Sequence, residues 1–240
     1  AQHSTAQHST AQHSTAQHQI TSKFFELLKE AAKIAGIDIS NKVEWKTLGG
    51  IGSFVNGSGM PKTTFDEKGE IGAIHYGHIY TKYNMFVYNP IVKISNENSK
   101  KLKKVKKGDL VIAKTSENIE DIMKTVAYLG DNEVVVGGHS AIFSHNQNAK
   151  YLSYVFNGYS ELIKQKNKMA RGVKVIEISI TDMEKIKIPL PSLQVQEYVV
   201  SILDKFDKLL NDIKEGLPKE IELRKKQYEY YREKLLNFEK

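Results

Sequence analysis

The sequence predicts an α/β (α+β) globular domain followed by a long helical, coiled-coil region, and three observations carry that prediction. From Val43 to about Ile188, short β-rich runs are punctuated by glycine and interrupted by two helical stretches. At Ile188-Pro189-Leu190-Pro191, two prolines fix an extended segment and forbid a continuing helix. Beyond them, Val199, Ile202, Phe206, Leu209 and Ile213 step by three and four, the spacing of a coiled-coil seam.

The elements follow in order. Ala1–Thr5, Ala6–Thr10 and Ala11–Thr15 are identical AQHST copies, and Ala16–His18 begins a fourth. A period of five matches neither helix nor strand, so residues 1–20 are expected to be disordered and excluded from the fold. Their evenly spaced histidines lack the preset geometry a metal site needs. Residues 21–190 are expected to form the globular domain, entered by a short amphipathic helix over Ser22–Ile34 whose apolar face is Phe24, Leu27, Leu28, Ala31 and Ile34. Candidate strands are Ile71–Ile74, Met85–Val87, Ile91–Ile94, Leu110–Ala113, Thr125–Leu129, Val134–Val136, Ala141–Phe143 and Val173–Ile178. Helices are expected over Asn118–Met123 and from Tyr151 to Asn157, extending toward Lys168. Residues 191–240 read as two helices. The second carries the seam Leu217, Ile221, Arg224, Tyr228, Tyr231, Leu235 and Phe238, after a break at Gly216 and Pro218. Its large apolar area either docks on the chain's own domain or pairs with another molecule; a solitary hairpin of this length lacks a partner face.

Composition narrows the function. The 240 residues carry 35 Lys and Arg against 28 Asp and Glu, a net charge of +7 that favours polyanions. Zero cysteines exclude a disulfide scaffold, a thiolate zinc site and a cysteine nucleophile. Neither an apolar run of roughly eighteen residues nor a basic-then-apolar leader is present, so a cytoplasmic chain without a membrane partner is expected.

Catalytic constellations are missing. A base-gripping Asn/Asp-Pro-Pro-aromatic tetrad has its nearest match in Asn89-Pro90-Ile91-Val92, which lacks the second proline and the aromatic. Gly57-Ser58-Gly59 runs into Met60-Pro61 rather than a helix, the context of structural glycines and not of a cofactor loop. Glu44-Trp45-Lys46 imitates a metal-nuclease triplet, but such triplets recur by chance in a charged chain. His75, His78, His139 and His145 fall in no metal-ligand spacing, and His75 and His78 read as polar loop residues. No catalytic residue, metal or cofactor is expected.

A binding surface remains. His75, Tyr76, His78, Tyr80, Thr81 and Lys82 interleave imidazole, aromatic, hydroxyl and amine groups around Gly77. Lys114, Thr115 and Ser116 follow a candidate strand, and Lys164, Lys166, Lys168, Arg171 and Lys174 surround Gly172. Each alone is also an ordinary solvated loop; three in one basic domain point to nucleic acid. Lys100–Lys107 holds six lysines in eight residues, either a phosphate contact or a solvated hairpin end before the Gly108-Asp109 turn.

The run from Gly216-Leu217-Pro218-Lys219-Glu220-Ile221 through Tyr228-Glu229-Tyr230-Tyr231 to Leu236 resembles the helical region of type I restriction–modification specificity subunits. So does its approach, Ile188-Pro189-Leu190-Pro191, Gln196 and Ile202-Leu203-Asp204-Lys205-Phe206-Asp207. Trp45–Gly49, Ile79-Tyr80-Thr81 and Gly108–Ala113 resemble parts of one target recognition domain, so the likeness spans Thr21 to Lys240. The resemblance implies a non-catalytic, sequence-specific DNA-binding subunit that directs methyltransferase (modification) subunits, and optionally restriction/translocase subunits, to a bipartite site. Usual members carry two recognition domains and two helical regions, where this sequence shows one of each. That implies a half-length form completed as a homodimer through Phe206, Ile213, Ile221, Arg224, Tyr228, Tyr231, Leu235 and Phe238. The alternatives are a small DNA nuclease and a decoy competing with a host specificity subunit.

Overall fold

The computed structural model describes residues 44–205 together with Lys208, Glu222 and Lys226. They divide into two compact units between Glu197 and Tyr198. A five-stranded sheet orders β2 (Gly52–Asn56), β11 (Ser140–His145), β7 (Leu110–Ala113), β9 (Thr125–Tyr128) and β4 (Phe86–Val87). A four-stranded sheet orders β5 (Val92–Ile94), β3 (Ile71–Ile74), β10 (Val134–Val136) and β6 (Lys103–Val105). Two short ladders complete the strands: β1 (Glu44–Thr47) with β13 (Lys187–Leu190), and β8 (Thr115–Ser116) with β12 (Ile176–Glu177). Six helices punctuate the sheets: α1 (Leu48–Ile51), α2 (Tyr76–Thr81), α3 (Asn96–Ser99), α4 (Ala149–Gly158), α5 (Ser160–Met169) and α6 (Ile180–Lys185). Residues 193–205 are helical as well.

The core follows from strand periodicity. Central strands β7 and β10 are buried at every position, as their unbroken apolar runs Leu110–Ala113 and Val134–Val136 require. One cluster draws Ile74, Val134 and Val136 from the four-stranded sheet and Val111, Ala113, Val126 and Ile142 from the five-stranded sheet, with Ile79 of α2. The alternate residues Ala73 and Val135 join Met60, Val92 and Ile94 in a second cluster, because successive strand side chains point to opposite faces. Phe143 stacks on Phe54 with ring centroids 4.3 Å apart and meets Phe156 of α4 at 6.2 Å. Close approach also explains a glycine: a Cβ at Gly57 would lie 2.0 Å from Gly137 O, so that loop is structural, as its context implies.

Three sequence expectations are corrected. Asn118–Met123 is not a helix; residues 119–123 are turns, and Met123 adopts a left-handed φ of 61°. Met123 N–H donates to Ala113 O at 3.0 Å, and the buried Lys166 Nζ donates to Glu120 O and Ile122 O, so tertiary bonds replace helical ones. Burial pulls that amine down to about 8. The helix from Tyr151 toward Lys168 is two helices, α4 and α5, broken at Tyr159 where ψ is 115°. Val173–Ile178 contracts to β12, leaving Val173 and Val175 exposed. β1, β2, β6, β8 and β13 were not expected from the sequence. The AQHST repeat, the Ser22–Ile34 helix, and the seam residues Phe206, Ile213, Ile221, Arg224, Tyr228, Tyr231, Leu235 and Phe238 lie outside the described residues.

Asn157 holds the start of β9 to α4. Thr125 N–H donates to its Oδ1 at 3.0 Å, and its Nδ2 donates to Thr125 O at 2.8 Å. Asn157→Ala strands a backbone pair at a fully buried residue and is expected to cost about 1–3 kcal/mol, read as a lower urea midpoint with an unchanged m-value.

Candidate nucleic-acid interface

The three polar loops singled out in the sequence are brought together, and each is held by a different device. The first is not a loop throughout: His75 caps α2, its Nδ1 accepting from Gly77 N–H at 3.2 Å, and Tyr76, His78 and Tyr80 ride on the helix. This corrects the reading of His75 and His78 as loop residues; a side-chain acceptor ahead of Tyr76 starts the helix despite Gly77. The second loop continues from β7 into β8, and Tyr80 Oη donates to Thr115 O at 2.6 Å, joining α2 to it. Burial pushes the Tyr80 hydroxyl far above its ordinary value, so it stays a donor. The third is the hairpin from Arg171 to Glu177, whose stem is closed by Arg171 N–H to Glu177 O at 2.9 Å and Glu177 N–H to Arg171 O at 2.7 Å. Ile176 and Glu177 then pair with Ser116 and Thr115, and Lys114 Nζ lies 3.6 Å from Glu177 Oε1.

Residues differ in what they have left to offer. His75, Thr115 and Ser116 are buried, and Ser116 Oγ accepts from Asn118 N–H. Thr81 Oγ1 donates to Gly77 O within its own helix. Lys82 at the end of α2, Lys168 in the last turn of α5, and Arg171 and Lys174 on the hairpin are exposed. Sequence reasoning missed His139 as a member of this face: its ring lies 5.1 Å from Tyr76, its carbonyl accepts from Lys114 N–H at 2.8 Å, and its φ is 62°. The Gly137-Gly138 pair before it was the available turn signal. Val173 and Val175 were missed because Val173-Lys174-Val175 alternates like a strand.

His75 and His78 are both biased toward the neutral imidazole. Burial lowers the His75 ring, with His78, Lys62 and His139 adding positive charge; burial, Lys82 and Lys62 lower His78. Neutral rings can both donate to and accept from base edges. Among the described residues no group of three or more His, Cys, Asp or Glu could hold a metal ion.

A model of the type I restriction modification DNA specificity domain matches residues 41–223 of the chain. The chain belongs to that family. This specificity domain is 31% identical over 219 residues to a putative type I restriction enzyme specificity subunit of Haemophilus influenzae, covering 91% of the chain and 53% of that protein. It is 34% identical over 208 residues to an Escherichia coli type I restriction enzyme specificity subunit, covering 83% and 49%. The chain therefore spans about half the length of these relatives. The specificity subunit HsdS of Thermoanaerobacter tengcongensis shares the fold, with a TM-score of 0.54 at 17% identity over 89% of this chain and 50% of that one. Among the described residues, no helix is long and apolar enough to cross a membrane.

His145 gives the specificity domain a pH signature. Its ring is pulled below the ordinary 6.5 chiefly by burial, opposed by Asp109; its Nδ1 accepts from Gln147 N–H at 3.1 Å, while its buried Nε2 has no partner. The unfolded chain takes up a proton at this ring near 6.5, and the folded chain only at lower pH. Stability is accordingly full above that value and falls as pH drops below it, with His75 and His78 contributing in the same direction. Urea midpoints measured from pH 7.5 down to 5 should fall for the wild type and fall less for His145→Gln.

Proposed function

We propose that the chain reads DNA through the face formed by α2, β8 and the 171–177 hairpin, and carries no chemistry of its own. The observation that supports this reading best is the pairing of β8 with β12 beneath the Tyr80–Thr115 bond, within a DNA specificity domain. It assembles basic, aromatic and imidazole groups from three distant stretches on one rigid support. In this reading Lys82, Lys114, Lys168, Arg171 and Lys174 meet phosphates, while His75, Tyr76, His78, Tyr80, Thr81, Thr115 and Ser116 order or contact base edges. Methyl transfer is supplied by type I modification subunits, and cleavage by restriction subunits, docked on the segment from residue 191 onward. Two copies of the face give a bipartite site. The seam Phe206, Ile213, Ile221, Arg224, Tyr228, Tyr231, Leu235 and Phe238 supports self-association as their source.

Binding of the full chain to duplex DNA across a salt series tests the face. Arg171→Ala and Lys174→Ala should each weaken binding to all sequences and flatten the log–log salt slope by roughly one. Unchanged slopes would remove the hairpin from the phosphate contacts. Methylation should appear only when a modification subunit and adenosylmethionine are added, and the mapped site should be two inverted half-sequences around a fixed gap. The replacement of Tyr231 and Leu235 by Asp should convert a dimer to monomer in sedimentation; an unchanged dimer would exclude this seam.

A further inference from the structure

The hairpin tip combines three properties that ordinary surface loops rarely share. Val173 is 95% exposed and Val175 61%, the two highest values among the exposed large hydrophobic residues of the described chain. Charge surrounds them: Lys174 stands between the valines, and Arg171 at the stem and Lys168 at the end of α5 are exposed too. The tip is also rigidly mounted. Gly172 takes φ +117°, and a Cβ there would lie 2.0 Å from Val175 O, so only glycine closes the turn this tightly. Below the turn, the Arg171–Glu177 hydrogen-bond pair and the β8–β12 ladder lead to the fully buried Ile178. A closed turn keeping apolar branches in water, with Lys174 between them and Arg171 at the stem, is preorganised for a partner with an anionic frame and an apolar target within it.

We infer that Val173 and Val175 are specificity-determining residues that read thymine methyl groups in the major groove of duplex DNA. The 5-methyl of thymine is the apolar group that base pairs present there, and it is absent from the minor groove. Lys174 between the valines and Arg171 at the stem supply the cations that anchor the hairpin to flanking phosphates, while the valines discriminate. The inference rests on the DNA-reading function proposed above and adds which base the hairpin selects.

The test uses the full-length chain with its modification subunit. A preferred duplex is first selected from a random-sequence library, and each dT in it is then replaced in turn by deoxyuridine, which removes only the methyl. Wild type should lose about fourfold in affinity at one or two of these positions, the value of one buried methyl group. Val173→Ser and Val175→Ser, exposed changes that leave the fold intact, should each bind the thymine and uracil duplexes equally at the position that its valine reads, while retaining the wild-type salt slope. Equal thymine-to-uracil losses in wild type and both variants would overturn the inference and leave the DNA-reading function standing. So would an unchanged preference accompanied by loss of the modification subunit on gel filtration, which would make the tip a protein contact. Failure of wild type to prefer any duplex would overturn both.

Discussion

The continuous run from Leu110 to Ser116 is the constraint on which core and candidate face both depend. Its first four residues are the central strand of the five-stranded sheet, buried at every position. Its last two leave that sheet and pair with β12, so the same segment that packs the interior supports the hairpin outside it. Lys114 stands at the junction: its N–H donates to His139 O, and its carbonyl accepts from Ile178 N–H at 3.1 Å. A one-residue slip here would turn the Leu110–Ala113 side chains to the opposite faces and displace the β8–β12 register at once. Interior packing and surface geometry are thereby one specification.

What the sequence made legible is what repeats at short period. Ile71–Ile74, Leu110–Ala113 and Val134–Val136 are strands at their expected bounds, because short apolar runs of three or four residues rich in Val and Ile suit strands inside a sheet. Val92 and Ile94, with exposed Lys93 between them, show the alternation of a half-buried strand. The failures share a cause, bonds to distant residues. Nothing local in Asn118–Met123 discloses that Lys166, more than forty positions away, satisfies its carbonyls. β8 and β12 are two residues each and exist only as partners of one another. The three loops of the candidate face could be named from residue types, but their union through Tyr80 and Thr115 spans 35 positions and leaves no periodic trace.

The lysine run illustrates how charge density and contact surface separate. Lys103–Val105 is an edge strand of the four-stranded sheet, with Lys103 and Lys104 exposed and only Val105 buried. Lys104 and Lys107 pair with Glu133 and Asp131 at 2.8 and 2.6 Å, so part of the positive field is already answered by neighbouring carboxylates. Solvated lysines also blunt an open edge against pairing with another chain. The turn after the run is fixed from within, Lys106 N–H donating to Asp109 Oδ2 at 2.8 Å. The same lysines thus serve solvation and edge protection together.

The ladder of β1 with β13 sets Glu44 opposite Leu190 and Thr47 opposite Lys187. The polypeptide therefore enters and leaves this part of the fold side by side, through a single pair of strands. Such an arrangement behaves as a cassette: everything between Thr47 and Lys187 can be exchanged by recombination for another sequence with the same adjoining ends. Beyond the strands, Gln196 Oε1 accepts from Asn148 N–H at 3.0 Å and its Nε2 donates to Gln147 Oε1 at 2.9 Å, so an exchanged insert must also meet that side chain. Exchanging such an insert replaces α2, β8 and the 171–177 hairpin together, without point-by-point remodelling of each loop.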